Sequence, residues 1–204
     1  MKWTHPFHKA VTKVQNDIVK HIKGKLWSMI DQELEDFLEV LRSFGWEVVL
    51  RNDGKLELGE EFNARYRDIP EDYLEFLKRV ALCANSASNV WFLGEGDYNG
   101  SAGHAFAWNE FEMMSLEGDE LDESSLAKIR KFWQEHFPFM LSVHSDYAFL
   151  AICVSGDNYG AVMAGYEPEF EVAFRVCDSF GEFIKLFSMT LKKEADHPDL
   201  SYFV

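Results

Sequence analysis

Cysteine is scarce in this chain, basic side chains are outnumbered, and long apolar runs are missing. Each shortage narrows what the protein can be. Three cysteines stand among 204 residues. Cys83, Cys153 and Cys177 are odd in number, widely spaced and set in apolar surroundings. That pattern reads as buried thiols in a reducing compartment, not as a disulfide framework or a metal site. No apolar run reaches the roughly 18 residues of a membrane span. The opening stretch "MKWTHPFHKAVTKVQNDIVKHIKGK" lacks the apolar core of a secretion signal. The expectation is a cytoplasmic protein with no membrane partner. There is also no internal repeat and no low-complexity linker. With 47% hydrophobic and 15% aromatic residues, the chain can bury one sizeable core.

The shortage of bases is the most informative. Twenty Lys and Arg face 35 Asp and Glu, a net charge of −15. Residues 1–25 hold six lysines and one acid, for +5; the other 14 basic and 34 acidic residues bring the rest to −20. A body this acidic repels a nucleic-acid backbone and attracts a basic protein. Plain solubility accounts for an acidic surface equally well, so charge by itself leaves both readings open.

Periodicity then lays out the elements. Phe7, Val11, Val14, Ile18 and Ile22 recur at helical steps, giving a basic N-terminal helix. Leu26, Ile30, Leu34, Phe37, Leu38, Leu41 and Phe44 repeat the pattern, with Gly45 placed as a stop. "WEVVLRNDGKLELG" predicts a hairpin: a strand over 46–51, a turn at Asn52-Asp53-Gly54 and a return strand over 55–58. "DIPEDYLEFLKRVALCAN" predicts a helix with Pro70 at its start and Tyr73, Leu74, Leu77, Val80 and Ala81 on its apolar face. "NVWFLG" and "AFAWN" read as short strands around a loop over 95–104, and "SLAKIRKFWQEHF" as a helix with Leu126, Ile129, Phe132 and Trp133 inward. Strands follow at about 139–144, 147–155, 160–166 and 171–177. A last helix covers 179–191, with Phe180, Phe183, Ile184 and Phe187 on one side.

Several stretches look chemical at first sight. "SGDNYG" at 155–160 resembles a phosphate loop, yet it has no lysine, has acidic neighbours and runs into a strand, so it reads as a hairpin turn. A calcium loop needs regularly alternating oxygen ligands, which Asp157, Glu167 and Glu169 do not supply. His5 and His8 lack a nearby third ligand, so no metal is expected. Ser142, His144 and Asp146 alternate on one strand; such neighbours lie about 7 Å apart, too far to relay a proton in series. The acidic run Glu117, Asp119, Glu120, Asp122 and Glu123 is either solvated surface or a docking surface for a basic partner. Glu33, Glu35, Asp36 and Glu39 on the second helix allow the same two readings. Glu167 and Glu169 join the candidate partner-binding residues; Trp91 and Trp108, beside the 95–104 loop, either line a groove there or, as single tryptophans more often do, pack in the core. No catalytic constellation and no cofactor motif emerge.

The order of segments resembles the SUKH superfamily. "DIPEDYLEFLKRVALCAN" is similar to the Pro-x-x-Tyr-x-x-Phe-Leu helix that opens that domain. "NVWFLGEGDYNG" matches its short strand and glycine-containing loop, "YAFLAICVSGDNYGAVMAGY" its turn-linked strand pair, and "CDSFGEFIKLF" its closing phenylalanine-rich helix. The chain departs from the pattern at Asn85-Ser-Ala-Ser-Asn89, where the family carries Asn-Gly. The resemblance implies an α+β fold: an antiparallel or mixed sheet flanked by helices, here with an extra N-terminal helix. It places an N-terminal basic extension over 1–25, the domain over 26–191 and a tail over 192–204. It implies a non-enzymatic protein-binding role. The first expectation is an immunity protein that neutralises a toxin of a polymorphic or contact-dependent system, as a monomer or weak dimer. The alternatives are a scaffold with an endogenous partner, or a small-molecule binder using residues 91–108.

Overall fold

The apolar run in the second half becomes a strand buried along its whole length. Ala148–Cys153 contains only buried residues, and its neighbour His136–Ser142 only one that is not fully buried. A strand apolar on both sides needs cover on both faces, and the chain supplies it. The computed structural model describes residues 31–103, 106–117, 122–144 and 146–204. Two compact units divide the chain, Met1–Asp36 and Phe37–Val204. Of the first, residues 31–36 are described and are helical, with Gln32 Nε2 donating to Asp36 Oδ1 at 2.7 Å. The basic segment 1–25 and the His5–His8 pair lie outside the described residues.

The second unit opens with a helix over 37–43 (α1). Gly45, at φ +82°, ends it as expected, and the Trp46 N–H turns back to the Leu41 carbonyl at 3.0 Å. The remaining elements are β1 (Glu47–Leu50), α2 (Glu60–Arg65), α3 (Glu71–Arg79), β2 (Val80–Ala84), β3 (Val90–Phe92), α4 (Glu95–Tyr98), α5 (Glu110–Leu116), α6 (Glu123–Glu135), β4 (His136–Ser142), β5 (Ala148–Cys153), β6 (Val162–Tyr166), β7 (Phe174–Cys177) and α7 (Phe180–Leu191), with 3₁₀ turns at Gly156–Asn158 and Pro198–Phe203. The strands form one sheet in sequence order, every pair antiparallel. The protein is therefore α+β, as expected.

Directly paired residues share a face, so the register sorts the core into two layers. One row runs Phe92–Met140–Leu150–Ala164. Over it pack α1, α3 and α7: Phe76 lies 5.0 Å from Phe92, Phe183 5.1 Å from Phe139, and Phe37 6.3 Å from Phe187. The opposite row runs Trp91–Leu141–Phe149–Gly165, covered by α5 and α6. Trp133 sits 4.8 Å from Phe149, and Phe111 stacks on Phe170 at 4.8 Å. The phenylalanine face of α7 is inward as read from sequence, and Ser179 caps that helix by accepting the Glu182 N–H. The 155–160 turn joins paired strands β5 and β6, with Gly156 and Gly160 at positive φ. Leu200 and Phe203, in the last 3₁₀ turn, are buried.

Four expectations need correction. β1 does not pair with residues 55–58; its partner is β2, and the Arg51 N–H extends that ladder to the Arg79 carbonyl. Helix α3 stops at Arg79, because Val80 and Ala81 are recruited into β2. A short apolar run serves helix or strand equally, and strand pairing decides it here. "AFAWN" is not a strand either: residues 106–109 form bends and a turn that lead into α5. Phe44, read as an inward position, is exposed.

Two stability predictions follow from the core. A Cβ at Gly165 would meet the Phe149 ring at 2.4 Å and the Phe170 carbonyl at 2.9 Å. Gly165→Ala is expected to cost about 1–3 kcal/mol through overpacking, read as a lower urea midpoint at unchanged slope. His136 is half-buried, stacked on Phe132 at 4.1 Å, with Nδ1 donating to the Phe132 carbonyl at 2.8 Å. Burial holds its pKa below the ordinary 6.5, against the opposing pull of that carbonyl and Glu135. The unfolded chain therefore binds a proton first as the pH falls through about 6.5. Stability is full above that value and declines below it. Urea midpoints measured across this range should fall less steeply for His136→Gln than for the parent.

Candidate functional site

A break in the ladder prepares the site. Pro138 lies in the central strand β4, where it has no N–H to give, and the β4–β5 register shifts between Pro138 and Met140. The Pro138 carbonyl is met by a side chain, the Tyr98 hydroxyl, at 3.0 Å. The Tyr98 oxygen lies 2.9 Å from the Tyr73 hydroxyl, which donates to the Leu93 carbonyl at 3.1 Å. Tyr66 donates to the Trp133 carbonyl at 2.6 Å. Burial raises the pKa of all three phenols, so they stay neutral donors. They fix α2 and α4 against the end of the sheet.

Helix α2 is short. Gly59 precedes it, Glu60 and Glu61 occupy its first turn and Arg65 its last, which suits the helix dipole. Phe62 and Tyr66, four residues apart, turn inward. Phe62 lies 4.6 Å from Tyr98 and 5.6 Å from Trp108. The segment before α2, read from sequence as a strand, is held by α4 instead. Asn99 Nδ2 donates to the Glu57 carbonyl at 2.7 Å, and its Oδ1 accepts the Gly59 N–H at 2.8 Å. Glu95 Oε2 accepts the Glu57 N–H at 3.0 Å and pairs with Arg51 at 2.7 Å.

Between α2, α4 and the turn before α5 opens a cleft of about 510 Å³. Three carboxylates line it: Glu61, Asp97 and Glu110. Asp97 Oδ2 accepts the Gly94 N–H at 2.8 Å, and Glu110 Oε2 accepts the Ala107 N–H at 3.3 Å. Tyr98, Phe106 and Trp108 supply aromatic wall. No cationic side chain among the described residues lines it. The Arg65 guanidinium lies over Trp108 at 5.5 Å and over Tyr66 at 5.1 Å, bound to Glu112 at 2.7 Å. Burial opposes its charge, but Glu112 and Tyr66 outweigh burial and raise its pKa.

The residues singled out from sequence fall in different places. Trp108 lines the cleft and is half-buried. Trp91 is buried in the sheet and borders an adjoining cavity of about 150 Å³, which shares Asp97 and Ala102 with the first. Glu117 is exposed at the end of α5. Asp122 caps α6, accepting the Ser125 N–H at 2.7 Å, and that bond lowers its pKa. Glu123 is exposed in the next position; Asp119 and Glu120 lie outside the described residues. Glu167 Oε1 accepts the Tyr147 N–H at 3.0 Å, while Glu169 is exposed. Ser142 is fully buried and donates to the Tyr202 carbonyl at 2.6 Å, whereas His144 and Asp146 are exposed. Cys83 and Cys153 are buried free thiols; burial raises the pKa of Cys83 and pushes that of the half-buried Cys177 up to about 12. Among the described residues no group of His, Cys, Asp or Glu could hold a metal ion, and no helix is long and apolar enough to cross a membrane.

Sequence reading passed over Glu61, Asp97, Asn99 and Glu110. A usable signal was present in "GEEFNARY": glycine, two acids, an i,i+4 aromatic pair and a terminal arginine describe a short capped helix.

Asn99→Ala removes both bonds to the 57–59 segment. The expected cost is about 1 kcal/mol per bond at most, with faster amide exchange at Gly59 and Glu57 and little change at Tyr98.

No protein-family model, curated protein or solved structure matches this chain, so the geometry of the cleft and the charge around it carry the functional reading.

Proposed function

We propose that this chain is a non-catalytic, cytoplasmic protein-binding domain that neutralises a basic partner, in the manner of the immunity proteins of the SUKH superfamily. The observation that carries it is a cleft lined by Glu61, Asp97 and Glu110 in a chain of net charge −15. Acidic surface facing a basic protein speeds encounter and penalises the wrong partner. The segment order from the Pro70 helix to the phenylalanine-rich α7 supports the family reading. The reactive side chains are engaged elsewhere. The Ser142 hydroxyl is given to a carbonyl, and the Cys83 and Cys177 thiols are held protonated.

A second reading has its own observation. The cleft volume of about 510 Å³ lies within the range of small-molecule sites, which favours a small organic cation as ligand.

The test is binding to toxin domains encoded beside the gene. A cognate basic domain should bind, with an association rate that falls roughly tenfold or more from low to physiological salt. Failure of every neighbouring toxin domain to bind at micromolar concentration would overturn the reading, and an isolated gene would favour a scaffold with an endogenous partner.

A further inference from the structure

We infer that the outer edge of β1 pairs with β1 of a second copy of this chain, antiparallel, about a two-fold axis beside Val49. β1 and β7 are the two ends of the sheet, and among the described residues no strand lies beyond either. Native edges are commonly guarded by lysine, proline or other charged side chains. β7 carries such a guard in Arg175, held by Asp178 at 2.8 Å. β1 reads Glu-Val-Val-Leu, with a charge only at its first residue. Val49 is 44% exposed and Leu50 41% exposed, on opposite faces of the strand.

The backbone is the second ground. Along an antiparallel strand, alternate residues send both backbone groups to the same side. The Arg51 N–H meets the Arg79 carbonyl, so Arg51, Val49 and Glu47 face β2. The residue skipped at the register shift is Ala81, on β2, and the alternation along β1 is unbroken. The Trp46 N–H, turned to the Leu41 carbonyl on α1, fits the same alternation. Val48 and Leu50 therefore turn their N–H and C=O groups outward, where a further strand would lie.

Charge sets the register. An axis beside Val49 places Val48 of each copy opposite Leu50 of the other, each pair exchanging both N–H···O bonds. Val49 then meets its own copy, and Glu47 of one chain stands opposite Arg51 of the other. Arg51 gives Nη1 to Glu95 at 2.7 Å and has further donors for a second carboxylate. An axis beside Leu50 would set Glu47 against Asp53, like charges together, and one beside Val48 would set Glu47 against Val49. The contact is smaller than the roughly 1,200 Å² of a stable interface, and each copy carries −15. The dimer is therefore weak, and it strengthens as salt screens the repulsion. Salt acts in the opposite sense on a basic partner, so this inference stands apart from the proposed function.

The test is sedimentation equilibrium of the full chain, together with hydrogen exchange of its ¹⁵N-labelled amides. A dimer should form in the submillimolar range, more readily at high salt than at low. As it forms, the Val48 and Leu50 amides should gain protection severalfold, while the Val49 amide, already directed at β2, should not. Val49→Lys, at an exposed position, sets like charges together at the axis and should abolish the dimer. Glu47→Lys separates register from bulk charge. Lower net charge alone predicts a stronger dimer, whereas a lysine opposite Arg51 should weaken it severalfold. The inference is overturned by a chain monomeric throughout, by a dimer that survives Val49→Lys or is strengthened by Glu47→Lys, or by protection gained elsewhere but not at Val48 and Leu50. Val48 and Leu50 amides already protected at low concentration would overturn it too, because the chain would then cover its own edge.

Discussion

A proline in the middle of a doubly buried strand sets the constraint from which the site follows. β4 is central, and covered strands rarely hold proline, because each missing N–H breaks the ladder where no water can repair it. At Pro138 the register slips, and the Pro138 carbonyl is met by a side-chain donor, the Tyr98 hydroxyl. Tyr98 reaches it only with α4 lodged at that end of the sheet. Tyr73, from α3, completes the pair by serving the Leu93 carbonyl. The floor of the cleft is thus a solution to backbone hydrogen bonding. An unmet buried carbonyl would cost on the order of 1–3 kcal/mol, which explains why the hydroxyls are buried at all.

The two-sided burial of β4 and β5 has a matching demand across the sheet. Phe149 needs room on the α6 side, and the paired position on β6 is glycine. Large rings fill the opposite face equally: Phe92, Phe139, Phe183 and Phe187 form a chain of edge and tilted contacts between β3, β4 and α7. The described phenylalanines are thereby spent mainly on layering helices over a sheet, and the aromatics at the cleft are those left at its margin.

Much of this was legible in the sequence, and the limits are physical. The second half was clear because hairpin turns with glycine separate β5 from β6, and because a capping serine and a phenylalanine stripe announce α7. The first half was obscured by two competing uses of the same residues. Val80 to Ala84 continue a helical pattern as well as they form a strand, and only pairing with β1 and β3 settles them. "KLEL" alternates like a strand, but its backbone is taken by Asn99 and Glu95, side chains about forty residues away. The cleft was half-legible: Trp108 and the glycine-rich loop were visible locally. Glu61 and Glu110 become neighbours of that loop only once Tyr98 has pinned α4, a long-range event with no periodic signature.

Charge gives the cleft its character. Arg65 shows the two environments side by side. It is matched by Glu112, with the Trp108 and Tyr66 rings beneath it; Glu112 is buried and Arg65 partly so, which makes that pair structural. Glu61 and Glu110 line the neighbouring cleft, of which Trp108 also forms a wall. Buried acids are costly unless paired, whereas acids at the rim of an open cleft are solvated and inexpensive until a partner displaces the water. An acidic cleft is therefore stable when empty and selective when filled: only a group that returns the lost hydration as charge-assisted hydrogen bonds can enter it. In a chain of net charge −15, such a cleft would favour a cation over an anion both at encounter and at the contact itself.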